Sequence, residues 1–176
     1  MILKNAFTRP EVVAALRPLG ALIPGAVDPD QAATLRKQGT WKSFELAHRG
    51  RYAFADLPRA PALHRFAEHL CELRLSPDAR PRLFRLVRGD YSLIYDDART
   101  RCERGVELTL DLSARATGEG EIVYDGNGGG ELVVPQLPGL LSAVVRAPGT
   151  FRYQRYLPHS LGRAVIYRMR VTYPLR

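Results

Sequence analysis

A chain of 176 residues, 45% hydrophobic and 25% charged, has the make-up of a single globular domain and excludes collagen-like, coiled-coil and wholly disordered architectures. No apolar run approaches the roughly 20 residues a membrane helix needs, and the opening MILKNAFTRPEVV lacks the ordered regions of a secretory signal, so a cytoplasmic protein with no membrane partner is expected. Its 26 basic residues outnumber 18 acidic ones for a net charge of +8, and only Lys4, Lys37 and Lys42 are lysines, which leaves 23 arginines. These are spread along the chain, as either an anion-binding face or the codon usage of a GC-rich genome would give. Cys71 and Cys102 stand far apart without CxxC spacing, which indicates neither a disulfide scaffold nor a zinc knuckle.

In chain order, Thr8-Arg9-Pro10-Glu11 has the form of a capping box, and Val12, Val13, Leu16 and Leu19 continue it as an apolar stripe, which predicts a helix over Pro10 to Leu19. The segment GALIPGAVDPD reads as turns, and Asp30 to Gln38 before Gly39 as a second short helix. Trp41 to Leu57 suits two extended segments or a hairpin around Gly50, and Leu63, Phe66, Ala67, Leu70 and Leu73 place a helix over Pro61 to Leu73. From Arg82 onward the runs RLFRLV, DYSLIYD, VELTLDL, EIVYD, ELVVPQL, LLSAVVRA, FRYQRYL and RAVIYRMRVTY predict strands, separated by Gly, Pro, Asp and Asn turns. Alternation in Val106 to Leu112 sends Leu108 and Leu110 to the core and Glu107, Thr109 and Asp111 the other way. The glycine run after Asp125 is read as a hairpin turn, because no helix and no Lys-Ser/Thr ending follow it. The expected fold is mainly β with N-terminal helices (α+β), in one domain over 1–176. It has a helical N-terminal support over 1–80 and an antiparallel sandwich or jelly roll over 82–176.

The segment Leu86-Val87-Arg88-Gly89-Asp90-Tyr91-Ser92-Leu93-Ile94-Tyr95-Asp96-Asp97 resembles the 2-oxoglutarate/Fe(II) oxygenase superfamily, particularly its prolyl-hydroxylase-like branch. There a strand of the form G-D-F-L-x-x-H-x-D delivers two iron ligands; Gly89, Asp90, Tyr91 and Asp97 fit it, and Tyr95 stands at the histidine. Gly118 to Tyr124 looks like the G-G-x-L strand, Val134 to Leu141 like the V-x-P-x-x-G-x-L turn and strand, and Phe151 to Arg163 like the segment of the distal histidine and the 2-oxoglutarate anchor. The resemblance covers roughly Arg82 to Tyr173. It implies a double-stranded β-helix (jelly roll), hydroxylase-type oxidoreductase chemistry, and Fe(II) and 2-oxoglutarate as cofactors, acting on a small-molecule or peptide substrate.

The same resemblance implies Asp97 as the surviving metal ligand, with Gln154 at the distal position, Arg163 as the 2-oxoglutarate anchor and Tyr91 lining the cofactor site. Both histidines of the triad are replaced, and phenol and amide oxygens bind Fe(II) far less well than imidazole nitrogen. Arg163 heads a stripe of Val165, Tyr167, Met169 and Val171, or else is a turn residue after Gly162; in FRYQRYL the inner face is either Arg152 and Gln154 or Phe151 and Tyr153. Of the histidines, His64 and His69 project to different sides of their helix and His48 falls in a loop, so His159 is the best substitute ligand, given a bend in its strand. A Ser160–His159–Asp97 assembly lacks a nucleophile elbow. Without a metal, Tyr95 and Asp97, two apart on one strand face, form an acid/base or small-molecule site. Two classes therefore stand: an oxygenase-like enzyme with an altered metal site, and a metal-independent or non-catalytic protein binding a small carboxylate, peptide or nucleic acid in the jelly-roll cavity. No nucleic-acid motif stands out.

Overall fold

The computed structural model describes residues 20–46, 50–93, 104–126 and 130–176. The expected helix over Pro10 to Leu19 lies outside the described residues, as do Tyr95 and Asp97. The strands are β1 (Gly20–Ile23), β2 (Lys42–Leu46), β3 (Gly50–Asp56), β4 (Arg82–Leu86), β5 (Tyr91–Ser92), β6 (Gly105–Asp111), β7 (Ile122–Gly126), β8 (Gly130–Val134), β9 (Leu141–Arg146), β10 (Phe151–Gln154) and β11 (Ile166–Pro174). Helix α1 (Pro29–Arg36) and helix α2 (Pro61–Cys71) complete the set, with a short 3-10 turn at His159–Leu161. Local chemistry explains the helices. Asp28 caps α1 by accepting from the Gln31 amide at 2.8 Å, with Pro29 at its first position. In α2, Leu63, Ala67 and Leu70 recur at helical spacing and are buried.

Two expectations change. GALI, read as a turn, pairs with β9 in the register Gly20↔Val144 to Ile23↔Leu141, because a partner more than a hundred residues away supplies the hydrogen bonds that turn chemistry would otherwise satisfy. The first eighty residues are accordingly not only helical support: they also contribute β1 and the β2–β3 hairpin to the sheet.

The strands follow one antiparallel path, β1-β9-β6-β11-β4-β3-β5-β10-β7-β8, with β2 paired to β3. The path folds back on itself. Leu22 of β1 packs with Leu132 and Val134 of β8 in one cluster, so the two ends meet and the sheet all but closes into a jelly roll. Strand alternation then divides the core. Leu83, Leu108, Leu110, Met169 and Val171 face out from the barrel onto Leu63, Ala67 and Leu70 of α2 and Ala32 of α1. Inside, one apolar cluster holds Phe84, Leu86, Leu157, Leu161, Ala164 and Ile166, and another Ile122, Tyr124, Leu132, Val134, Leu140 and Val144. Glu107, Thr109 and Asp111 point away from the Leu108 face, as alternation required. That second face is also closed to water: the three are 0%, 3% and 3% exposed.

Leu110→Ala should open a cavity under the helices and reduce stability by about 2–5 kcal/mol. In urea unfolding the midpoint should fall with the slope unchanged.

Candidate functional site

The barrel interior is polar where its strands converge. Glu107 and Thr172 are register partners across β6 and β11, and Tyr124 and Arg152 are partners across β7 and β10. Arg146 lies two residues beyond Val144, the β9 partner of Glu107, and so shares its face. These pairings bring four side chains onto the Glu107 carboxylate. Glu107 Oε1 accepts from the Tyr124 hydroxyl at 2.7 Å and from Arg152 Nη1 at 2.7 Å. Oε2 accepts from Arg152 Nη1 at 2.7 Å, Arg146 Nη1 at 3.1 Å and the Thr172 hydroxyl at 3.0 Å. The donors are themselves held: Arg146 Nη2 donates to the Thr150 carbonyl at 3.1 Å, and the Tyr124 and Thr109 hydroxyls are 3.5 Å apart.

Electrostatics follow from burial and charge. Desolvation alone would raise the Glu107 carboxyl, but Arg152, Arg170 and Arg146, with the Tyr124 hydroxyl, overcome it and hold the group well below the usual carboxylate range. Burial and the neighbouring Glu107 carboxylate push the Tyr124 phenol up, so it stays protonated and donates. Both shifts favour an ionised Glu107 held by a protonated Tyr124.

A second polar group adjoins the first. Arg168 of β11, 3% exposed, donates through Nη1 to Gln154 Oε1 and through Nη2 to the Gly120 carbonyl. Burial lowers its pKa, an effect opposed by Asp111 and Tyr124. The Gln154 amide nitrogen donates to the carbonyls of Glu121 at 2.9 Å and Arg155 at 3.3 Å. Gly120 sits at a φ of +88°, a conformation that favours glycine, and an added Cβ would crowd the Ile166 side chain. Asp111 accepts from the Ser113 amide at 2.8 Å and the Leu137 amide at 3.1 Å, and so fixes the loops around this end.

Of the residues expected from sequence, the four that are described, Tyr91, Gln154, His159 and Arg163, are not gathered at one point. Gln154 does face inward, together with Arg152, which resolves the two-way reading of that strand. Tyr91 is on the other face. Its register partner is exposed Arg51, while Ser92 faces inward and its Oγ accepts from the Gln154 backbone N–H at 3.0 Å; the Tyr91 ring lies 6.5 Å from that of Tyr156, itself 53% exposed. His159 is exposed in the 3-10 turn, and Arg163 is exposed in the turn after Gly162, because β11 begins only at Ile166. Tyr167, Met169 and Val171 then face the helices, and the arginines on the opposite, inward face of this strand are Arg168 and Arg170. The sequence places Arg152 on one of two candidate inner faces and assigns no functional role to Glu107, Tyr124, Arg146 or Arg168. Their one local signal is charge placed between apolar residues in strands. Among the described residues no group of three His, Cys, Asp or Glu side chains is placed to hold a metal, and no helix is long and apolar enough to cross a membrane.

No family model matches the sequence, and no curated protein matches it. Solved structures do. A prolyl-4-hydroxylase from Pseudomonas putida superposes with a TM-score of 0.72 at 13% identity, covering 95% of this chain and 100% of its own. An oxidoreductase of the 2OG-Fe(II) oxygenase family from Burkholderia pseudomallei gives 0.70 at 13% identity, with 93% and 89% covered. A Trichoplax adhaerens prolyl hydroxylase, solved with a peptide fragment of the hypoxia inducible factor oxygen degradation domain, gives 0.67 at 13% identity, with 93% and 87% covered. At these identities the likeness is one of fold.

Glu107→Gln should reduce stability at neutral pH by about 3–5 kcal/mol, since it leaves guanidinium charge buried without its counter-ion. Folding lowers the Glu107 pKa, so the wild type carries the full contribution above the unfolded value of about 4.3 and loses it as the pH falls below that. The variant has no such contribution to lose. Thermal unfolding of both proteins between about pH 6 and pH 3 should show the gap between them narrowing; a constant gap would mean that folding leaves the carboxyl pKa unchanged, and a widening one that the native carboxyl is neutral.

Proposed function

We propose, for a chain that has the fold of the 2-oxoglutarate/Fe(II) oxygenases, that it is an oxygenase-like protein with an altered, impaired metal site. The state of Gln154 carries this reading. The resemblance puts the distal iron ligand there, yet the Gln154 Oε1 accepts from the Arg168 guanidinium and its nitrogen is engaged by two carbonyls. A divalent cation at that oxygen would have to displace the guanidinium and sit beside its charge, which opposes binding. His159 and Arg163, both exposed, supply neither a replacement ligand nor a buried anchor. The described residues therefore do not fit an iron triad with a 2-oxoglutarate anchor.

What the reading retains is Asp97 with Tyr95, a carboxyl and a phenol two residues apart, as the reactive pair of the altered site. Its substrate is a peptide or small molecule; the peptide bound to the Trichoplax adhaerens structure supports the first of these.

Mn(II) with 2-oxoglutarate, each to about 1 mM, should leave the thermal midpoint of the wild type unmoved. A saturable rise at micromolar Mn(II), abolished by Asp97→Ala, would overturn the reading. Tyr95→His with Gln154→His should gain little metal affinity while Arg168 is present, and adding Arg168→Met should release it.

A further inference from the structure

On the helix-bearing side of the sheet, guanidinium and aromatic groups stack where the helices stop. Arg85 of β4 is the register partner of Tyr167 on β11 and shares a strand face with Leu83, which packs in the cluster under the helices. Leu83 is buried and Arg85 exposed, so the cover ends between them. Trp41, just before β2, and Tyr167 pack against the margin of that cluster, both half-buried, with rings 6.0 Å apart and tilted by 59°. A guanidinium lies over each: Arg85 is 5.2 Å from the centre of the Trp41 ring and Arg36 is 5.9 Å from that of Tyr167. Arg36, the last residue of α1, is fixed further through Nη1, which donates to the Leu112 carbonyl at 2.5 Å. Val87, two residues beyond Arg85, adds an apolar side chain that is 38% exposed.

Nearby cations are held differently. Lys42 and Arg82 share the Asp56 carboxylate, and Arg51 is paired with Asp90. Among the described residues, the partners of Arg36 and Arg85 are rings and a carbonyl instead. A guanidinium stacked by its face is pre-oriented to offer its N–H edge to a planar oxyanion. Trp, Tyr and Arg around apolar surface are also the residues that carry most of the affinity at protein interfaces. A nucleic-acid strand fits less well, since its bases stack on open aromatic faces and both rings here already carry a guanidinium.

We infer that this face docks an acidic segment of a partner protein, whose carboxylates pair with Arg85 and Arg36 and whose apolar side chains cover Val87 and Trp41. The net charge of +8 favours that encounter. The surface lies outside the barrel, and the inference does not rest on the oxygenase-like reading.

Trp41 is the one tryptophan in the sequence, so its fluorescence reports on this surface alone. The full chain in low salt, titrated with a tryptophan-free peptide in which glutamates flank a pair of leucines, should show a saturable change in Trp41 emission below about 1 mM. The affinity should fall about tenfold in Arg85→Gln and again in Val87→Ser, and should be unchanged in Arg65→Gln, on the exposed side of α2. A peptide with lysines in place of the glutamates should not bind. No saturable response to the glutamate peptide, or the same affinity in Arg85→Gln and Val87→Ser as in the wild type, would overturn the inference. Tighter binding of an oligothymidylate of equal charge would also overturn it and make the surface a nucleic-acid site.

Discussion

A carboxylate sealed inside a β-barrel is tolerable only when its hydration is replaced in full, and that requirement organises this molecule. Glu107 has no exposed surface, and its replacements for water come from β7, β9, β10 and β11. Each of those strands must therefore lie in a single register. A slip of one residue in β10 would turn Arg152 outward and bring Tyr153 in, leaving a charge without its partner. Apolar packing tolerates such a slip far better than an ion pair does. The apolar clusters on either side close the barrel, and the polar band between them fixes how it closes.

Both described helices and the strands other than β1 could be read from local pattern because each carries its own period. Leu63, Ala67 and Leu70 announce α2 without help from the rest of the chain, and the alternation from Val106 to Leu112 announces β6. The resemblance around Gly89 to Asp97 pointed to the fold that the solved structures share. The interior was not legible to the same depth. Nothing in VELTLDL says whether the face bearing Glu107 meets water or protein, because that depends on β10, 45 residues away. For the same reason Arg163 admits two readings from sequence, the head of an inward stripe or a turn residue after Gly162: the point at which β11 begins, and so which parity faces in, is set by pairing with β4 and β6 and not by the local sequence.

The interior also separates scaffold from chemistry. A fold held in common with oxygenases does not oblige a chain to keep their metal. Here a guanidinium lies against the amide where the resemblance would have a cation bound, and a glutamate lies among arginines four residues further along β6.

The cluster also bears on the order in which the chain assembles. Its contacts join residues 17, 39, 45 and 65 apart, and loops of such length close late, since their entropy is lost before any contact repays it. Until β6, β7, β9, β10 and β11 have all met, the arginines remain hydrated and contribute nothing to the rate of collapse. Interactions absent from the transition state act on the return path, so this network slows the opening of the native barrel and leaves its formation rate almost untouched, a signature carried by the unfolding limb of a chevron plot.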